Sequence, residues 1–244
     1  MEFEPDTFGR LYADLYDDVH DPGTTDESVA LISDLAGADA RILELAIGTG
    51  RMALPLAARG HHIEGIDGSS EMVDVMRTKP GGAGIPVTIG DMADVDRDGP
   101  FDFVFLVFNT LFNLTSQEAQ VRLFRNVSAR LRPGGRFLVE TFVPDLSAFT
   151  DHQRMKARKV EMGMLDFEAV HHDPVRQTFR MQRVRMTAEG STLSPLVLRY
   201  ATPPELDLMA ALGGLRLADR WGDWHRAPFT ADSTMHVSVY EKPA

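Results

Sequence analysis

Apolar positions recur along this chain with two periods, and the switch between them divides it. Phe8, Leu11, Tyr12, Leu15 and Tyr16 share one face at helical spacing. A second helix is predicted from about Thr25 to Leu35, with Thr24 or Thr25 as cap and Gly37 as stop. Short apolar runs then alternate with helical stretches. Strands are predicted at 41–45, 62–66, 87–89, 101–107 and 136–141, with helices at 51–59, 70–78 and 116–131. The run Phe101–Val107 is almost wholly apolar, as a strand buried on both faces should be. Thr115-x-x-Glu118 has the form of a capping box, and Pro133-Gly134-Gly135 is expected to break the chain before the next strand. Strand and helix in alternation predict a doubly wound α/β sheet.

After Pro144 the period shortens to two. Phe179 and Met181 alternate with Arg180 and Gln182, then Val184 and Met186 with Arg183 and Arg185, which predicts antiparallel strands across 151–200. Thr202-Pro203-Pro204-Glu205 reads as a second capping box opening a helix that stops at Gly213-Gly214. Two late strands follow, near 215–220 and 235–241. The expected organisation is an N-terminal helical cap (1–40), an α/β core (41–148 and 202–244) and an antiparallel insert (149–201) that lids one end.

Composition narrows the classes. A chain of 244 residues, 43% hydrophobic, buries one sizeable core with an insertion. Its net charge of −11 argues against a nucleic-acid partner. The absence of cysteine excludes disulfides, thiolate metal sites and thiol nucleophiles. Met1-Glu-Phe-Glu-Pro-Asp6 lacks the features of a signal peptide, and no run approaches the roughly 18 apolar residues of a membrane span. A cytoplasmic setting with no membrane partner is expected, and a homodimer is admitted.

The chemistry begins at Ile42-Leu-Glu-Leu-Ala-Ile-Gly-Thr-Gly-Arg51. An apolar strand carrying Glu44 near its end meets a tight Gly48-Thr49-Gly50 turn, and a second strand ends in Asp67, about 20 residues on. This βαβ unit suits a nucleoside: the glycines admit backbone N–H groups to the ligand, and Asp67 suits a ribose diol. Gly48-x-Gly50-x-x-Ala53 also satisfies the dinucleotide fingerprint, so an NAD-type oxidoreductase is the alternative. Glu44 weighs against it, because a carboxylate beside the turn repels a pyrophosphate and tolerates a cation. Asp91-Met92, after the third strand, offers a carboxylate to an adenine amino group and a thioether to its face.

These residues together resemble the class I S-adenosylmethionine-dependent methyltransferases. Glu44–Arg51 looks like their first motif, Asp67 their ribose-binding acid, Asp91-Met92 their adenine pair, and Leu131-Arg-Pro-Gly-Gly135 the approach to their fifth strand. The resemblance implies a Rossmann-like fold with a seven-stranded, mostly parallel sheet whose last strand is antiparallel. It implies S-adenosylmethionine as cofactor, held by Glu44, Ala46, Gly48, Gly50, Arg51, Asp67, Gly68, Ser69, Met72, Asp91, Met92, Phe108 and Asn109. Tyr12 and Tyr16 resemble tyrosines that close over the methionine end. One position departs: Ala46 stands where the family has its first motif glycine, which costs little at negative φ and harms binding at positive φ. A non-catalytic S-adenosylmethionine-binding protein is the remaining alternative.

On the acceptor side, a small-molecule acceptor of secondary metabolism is expected, methylated on N, O or C mainly by positioning. Related sugar N-methyltransferases carry a His where Asn113 stands here, so Asn113 is assigned an orienting role. His225 is the competing base, and His20, His171 and His172 are further proton-transfer candidates. Phe112, His172, Trp221 and Trp224, with His20, are expected to line the acceptor pocket; core packing explains the aromatics equally. The insert's Met155, Met162, Met164, Met181 and Met186 suit an adaptable lid or core filler alike. His61-His62 reads as structural, and no ligand spacing predicts a metal site.

Overall fold

A computed structural model of the chain describes residues 13, 16–19 and 23–244; Tyr12, His20 and most of the helix expected over 8–16 lie outside these residues. The alternating half of the sequence forms one sheet from β1 (Arg41–Leu45), β2 (His62–Asp67), β3 (Val87–Ile89), β4 (Phe101–Leu106), β5 (Leu131–Phe142), β10 (Arg216–Trp221) and β11 (Met235–Glu241). Its order is β10-β11-β5-β4-β1-β2-β3. The first five strands pair in parallel, and β11 lies antiparallel to both β5 and β10. The period-two half forms a separate antiparallel meander of β6 (Gln153–Glu161), β7 (Met164–Asp173), β8 (Thr178–Thr187) and β9 (Gly190–Arg199). Both sheets follow the expected fold class.

Helices cover the seven-stranded sheet: α1 (Tyr16–Val19), α2 (Thr25–Ala36), α3 (Ala53–Ala58), α4 (Ser70–Thr78), α5 (Gln117–Arg130) and α6 (Pro203–Leu212). One apolar cluster joins Val29, Ile32, Leu56 and Val73 from α2–α4 to Trp224. The other joins Phe124 and Leu206 from α5 and α6 to Phe101 and Tyr240, and takes in Val170, Phe179 and Leu198 of the insert. The meander therefore packs on the α5/α6 side of the core. None of the helices described is long and apolar enough to cross a membrane.

Local chemistry departs from the expected pattern at three places. The α5 cap is Ser116, whose hydroxyl accepts the Ala119 N–H at 3.1 Å, and not Thr115. Thr202 caps α6 without a side-chain bond, and the Glu205 carboxylate goes to Arg199 at 2.6 Å. Pro133-Gly134-Gly135 does not precede β5 but lies within it, at a register shift where Phe101 pairs Leu131 and Phe103 pairs Arg136.

Candidate active site

The helices after β1 and β4 leave toward opposite faces of the sheet, and ligands of open α/β sheets bind at the carboxyl ends of strands at such a switch. The turn after β1 is held by the Ile47 N–H, which donates to the Ile66 carbonyl at 3.0 Å. Gly48 (φ 54°) and Gly50 (φ 81°) occupy the left-handed region, and a Cβ on Gly50 would lie 2.5 Å from Met76 Cγ. Ala46 has φ 56° as well. The allowance made for alanine at negative φ therefore does not hold. The strain is already present in the free chain, so its cost, about 1–2 kcal/mol, falls on folding.

Asp67 ends β2 with its carboxylate buried. Oδ2 accepts the Gly48 N–H at 2.6 Å and Oδ1 the Ser69 N–H at 2.8 Å, so the acid is tied to the glycine turn. Burial raises its pKa above the usual carboxylate value, against the pull of these N–H groups. Ser69 caps α4 by accepting the Met72 N–H, and Met72 Cε lies 3.4 Å from where a Gly48 Cβ would stand. Gly68 is exposed between them. Asp91 accepts the Ala93 N–H and pairs with Arg122, each at 2.8 Å, while half-buried Met92 packs on the core.

Glu44 is buried, and its Oε2 has no hydrogen-bond partner among the described residues. Burial pushes its pKa well above normal; the Arg51 guanidinium and the Ala53 N–H oppose this. Arg51 lies 5.4 Å over the Phe108 ring and donates to Thr25 Oγ1 at 3.0 Å. Tyr16, of α1, sits among Arg51, Asp67, Asp17 and Glu44, its phenol pushed up to about 12 chiefly by burial. Next to it Asp17 accepts from Thr49 Oγ1 at 2.6 Å and from Lys79 Nζ at 2.5 Å, clasping α1 onto the glycine turn.

At the end of β4, Phe108 (φ 62°) and Asn109 (φ 61°) are consecutive left-handed non-glycine residues. The top of β5 holds them there. The Glu140 carboxylate accepts the Phe108 N–H, and Asn109 Oδ1 accepts the Phe142 N–H at 2.5 Å. Glu140 is buried, with a pKa raised by desolvation and drawn back by the Phe108 N–H and Arg51. Sequence reasoning missed it, although its signal is that of Glu44: an acid closing an apolar run, here Phe137-Leu-Val-Glu140. Asp17, Thr25 and Lys79 were also missed.

These residues fit the expected cofactor. The Arg51 charge acts on the buried carboxylates Glu44 and Glu140, and an orphaned acceptor on Glu44 matches an ammonium group. A pyrophosphate would meet repulsion here.

On the acceptor side the aromatic candidates separate. Phe112, at the 3-10 turn 110–113, is fully buried and meets Phe142 edge-on at 5.0 Å. His172 is buried against Phe149 and Phe179, with Nε2 3.0 Å from the Tyr200 hydroxyl. Burial lowers its pKa, so the ring is neutral near pH 7. This cluster bridges the insert to the ends of β4 and β5. Asn113 is exposed at the end of its turn. Trp224 is buried in the α2-side cluster, Trp221 lies half-buried under Arg226, and His225 is exposed beside Asp26, Glu27 and Asp34. His225 and His172 thus lie on different sides of the sheet. His171 is exposed, with Nδ1 3.3 Å from Arg180. Among the described residues no group of three acids or histidines could hold a metal.

Comparison with known proteins points to one kind of enzyme. Residues 42–135 match the family described as a methyltransferase domain. The chain is 35% identical to the CcbJ methyltransferase of Streptomyces caelestis, with a TM-score of 0.91, over 99% of this chain and 100% of that one. It is 28% identical to the cypemycin N-terminal methyltransferase of a Streptomyces species, over 88% of each. It is also 28% identical, over 53% of each chain, to the dTDP-4-amino-2,3,4,6-tetradeoxy-D-glucose N,N-dimethyltransferase of Saccharopolyspora spinosa.

Proposed function

We propose that this chain, which belongs to the class I S-adenosylmethionine-dependent methyltransferases, methylates the nitrogen of a small amine. The cofactor supplies an electrophilic methyl group on a sulfonium sulfur. In this reading Glu44 holds its ammonium, Asp67 its ribose, and Asp91 with Met92 its adenine. Tyr16 and Asp17 close over the glycine turn.

The observation that carries the choice of nitrogen is the loop after β4, whose exposed polar end is Asn113 and not a base. An amide orients an acceptor and takes no proton, which suits a nucleophile that is already reactive as the free base. One relative is named as an N-terminal methyltransferase and another as the N,N-dimethyltransferase of an amino sugar. His172, neutral and buried in the aromatic cluster, fits the apolar wall of an acceptor pocket better than His225, which lies on the α2 side.

The test is release of S-adenosylhomocysteine against a panel of amino sugars, other primary and secondary amines, and matched phenols. Methylated amine is the expected product, with a rate that rises as the amine loses its proton. A product methylated on oxygen or carbon would overturn the assignment. Asn113→Ala should lower turnover roughly ten- to a hundredfold as a loss of orientation. If that variant is silent while His225→Ala abolishes turnover with cofactor binding intact, His225 is the base.

A further inference from the structure

We propose that Glu140 makes the site select the charge on the donor's sulfur, so that the sulfonium is held in preference to the neutral thioether left after transfer. The proposal rests on S-adenosylmethionine as donor and is independent of the acceptor. Glu140 stands on β5, next to β4, and its carboxylate accepts the N–H of Phe108 at the strained turn where β4 ends. Arg51 lies over the same Phe108 ring, close enough to Glu44 and Glu140 for its charge to act on both.

Among the described residues the charges around this point do not balance. Glu44, Asp67 and Glu140 are all buried, and among the described residues Arg51 is the guanidinium that acts on Glu44 and Glu140. Asp17 is matched separately by Lys79. Asp67 spends both oxygens on backbone N–H groups of its own turn. Glu44 leaves one oxygen for an ammonium, a group that donor and product share. Glu140, whose carboxylate is held by the Phe108 and Asn109 N–H groups, is then the carboxylate in excess among the described residues. In a desolvated crevice an uncompensated negative charge favours whichever ligand carries the additional positive one. Donor and product differ in just that charge and one methyl group.

The experiment measures equilibrium binding of three ligands to the unaltered protein and to Glu140→Gln. They are S-adenosylmethionine, S-adenosylhomocysteine and sinefungin, which carries an amine-bearing carbon in place of the methylated sulfur. Glutamine keeps the length and an oxygen for the Phe108 N–H, and removes the charge. Affinity for the two cationic ligands should fall about tenfold, with S-adenosylhomocysteine changed less than about twofold. An equal loss for all three assigns Glu140 a structural role and overturns the proposal, as does no change in any. A second measurement, on the unaltered protein, stands if the variant does not fold. The ratio of donor to product affinity should shrink from about pH 8 to about pH 5, as the carboxylates facing Arg51 take up protons. Among the described residues the titratable groups around them are Asp67 of β2, Tyr16 and Asp17 of α1, Lys79 beyond α4, and His236 on the neighbouring β11. A ratio independent of pH overturns the proposal.

Discussion

Ala46 holds a backbone angle that its own side chain makes costly. Replacing it by glycine removes the clash and adds unfolded-state entropy, so the terms oppose: about 1–2 kcal/mol gained against roughly 0.5–1 lost. Ala46→Gly should therefore raise unfolding free energy by up to about 1 kcal/mol in chemical denaturation; a loss of stability would show that the turn is unstrained. Asp67→Ala should weaken S-adenosylmethionine by about 1–3 kcal/mol in a binding titration, through the ribose and through slackening of the Gly48 turn. At this scale the sequence was legible wherever an acid closes an apolar run. Glu44 and Asp67 stood out for that reason. Glu140 carries the same mark but lies in a strand rich in other signals. Asp17 could not be read, since its partners Thr49 and Lys79 lie 32 and 62 residues away and only the fold joins them.

Elements were legible where one period persisted, and misread where an element outgrew its support. Residues 179–187 switch their apolar positions from odd to even numbers because β8 runs off the core. Phe179 and Met181 pack on it, whereas farther along Arg183 turns to buried Asp166 at 2.6 Å and Met186 faces out. Thr115 lost the cap of α5 to Ser116, a shift of one residue that composition does not resolve. The β11 strand hides a titrating group. His236 is fully buried, between Thr141 Oγ1 at 3.0 Å and Ser238 Oγ at 2.8 Å, with Arg220 and Asp207 behind. Desolvation, then Arg220, lowers its pKa from 6.5 to about 4. A histidine depressed in the folded state binds fewer protons than in the unfolded chain, so stability is full above about pH 6.5 and drains away toward pH 4. The loss from this residue should be on the order of 3 kcal/mol. Denaturation of His236→Gln across that range should show a correspondingly flatter profile; an identical slope would remove His236 from the acid transition.

For the whole molecule, one arginine ties the insert to the core. Arg199, at the end of β9, donates to Gln120 of α5 at 2.6 Å, Gln177 before β8 at 2.9 Å and Glu205 of α6 at 2.6 Å. Gln120 returns a bond to the Arg199 carbonyl at 2.9 Å. Arg199→Met leaves the buried Gln120 oxygen unmatched and takes the cation from half-buried Glu205, which keeps only the Gln117 and Gln177 amides, and should cost about 3 kcal/mol of unfolding free energy, read by denaturant titration. A change below about 1 kcal/mol would mean that packing alone docks the insert. The sheet, its parallel run and the meander were legible in the sequence, because alternation of period is a property of long segments. The side of the core on which the meander docks was not, since it depends on contacts such as Arg199–Gln120 across 79 residues.

The strand order also sets a timetable for a chain made from its N-terminus. β5 ends at Phe142, yet its antiparallel neighbour β11 begins only at Met235. At about 5–20 residues per second, the edge of β5 that carries Glu140 stays open for several seconds of synthesis. The four strands of the meander, each paired with its sequence neighbour, are made within that interval and close quickly because their contacts are local. The nascent protein thus holds its meander before the seven-stranded sheet is sealed, and the open edge of β5 is where a crowded ribosome would first see it go astray.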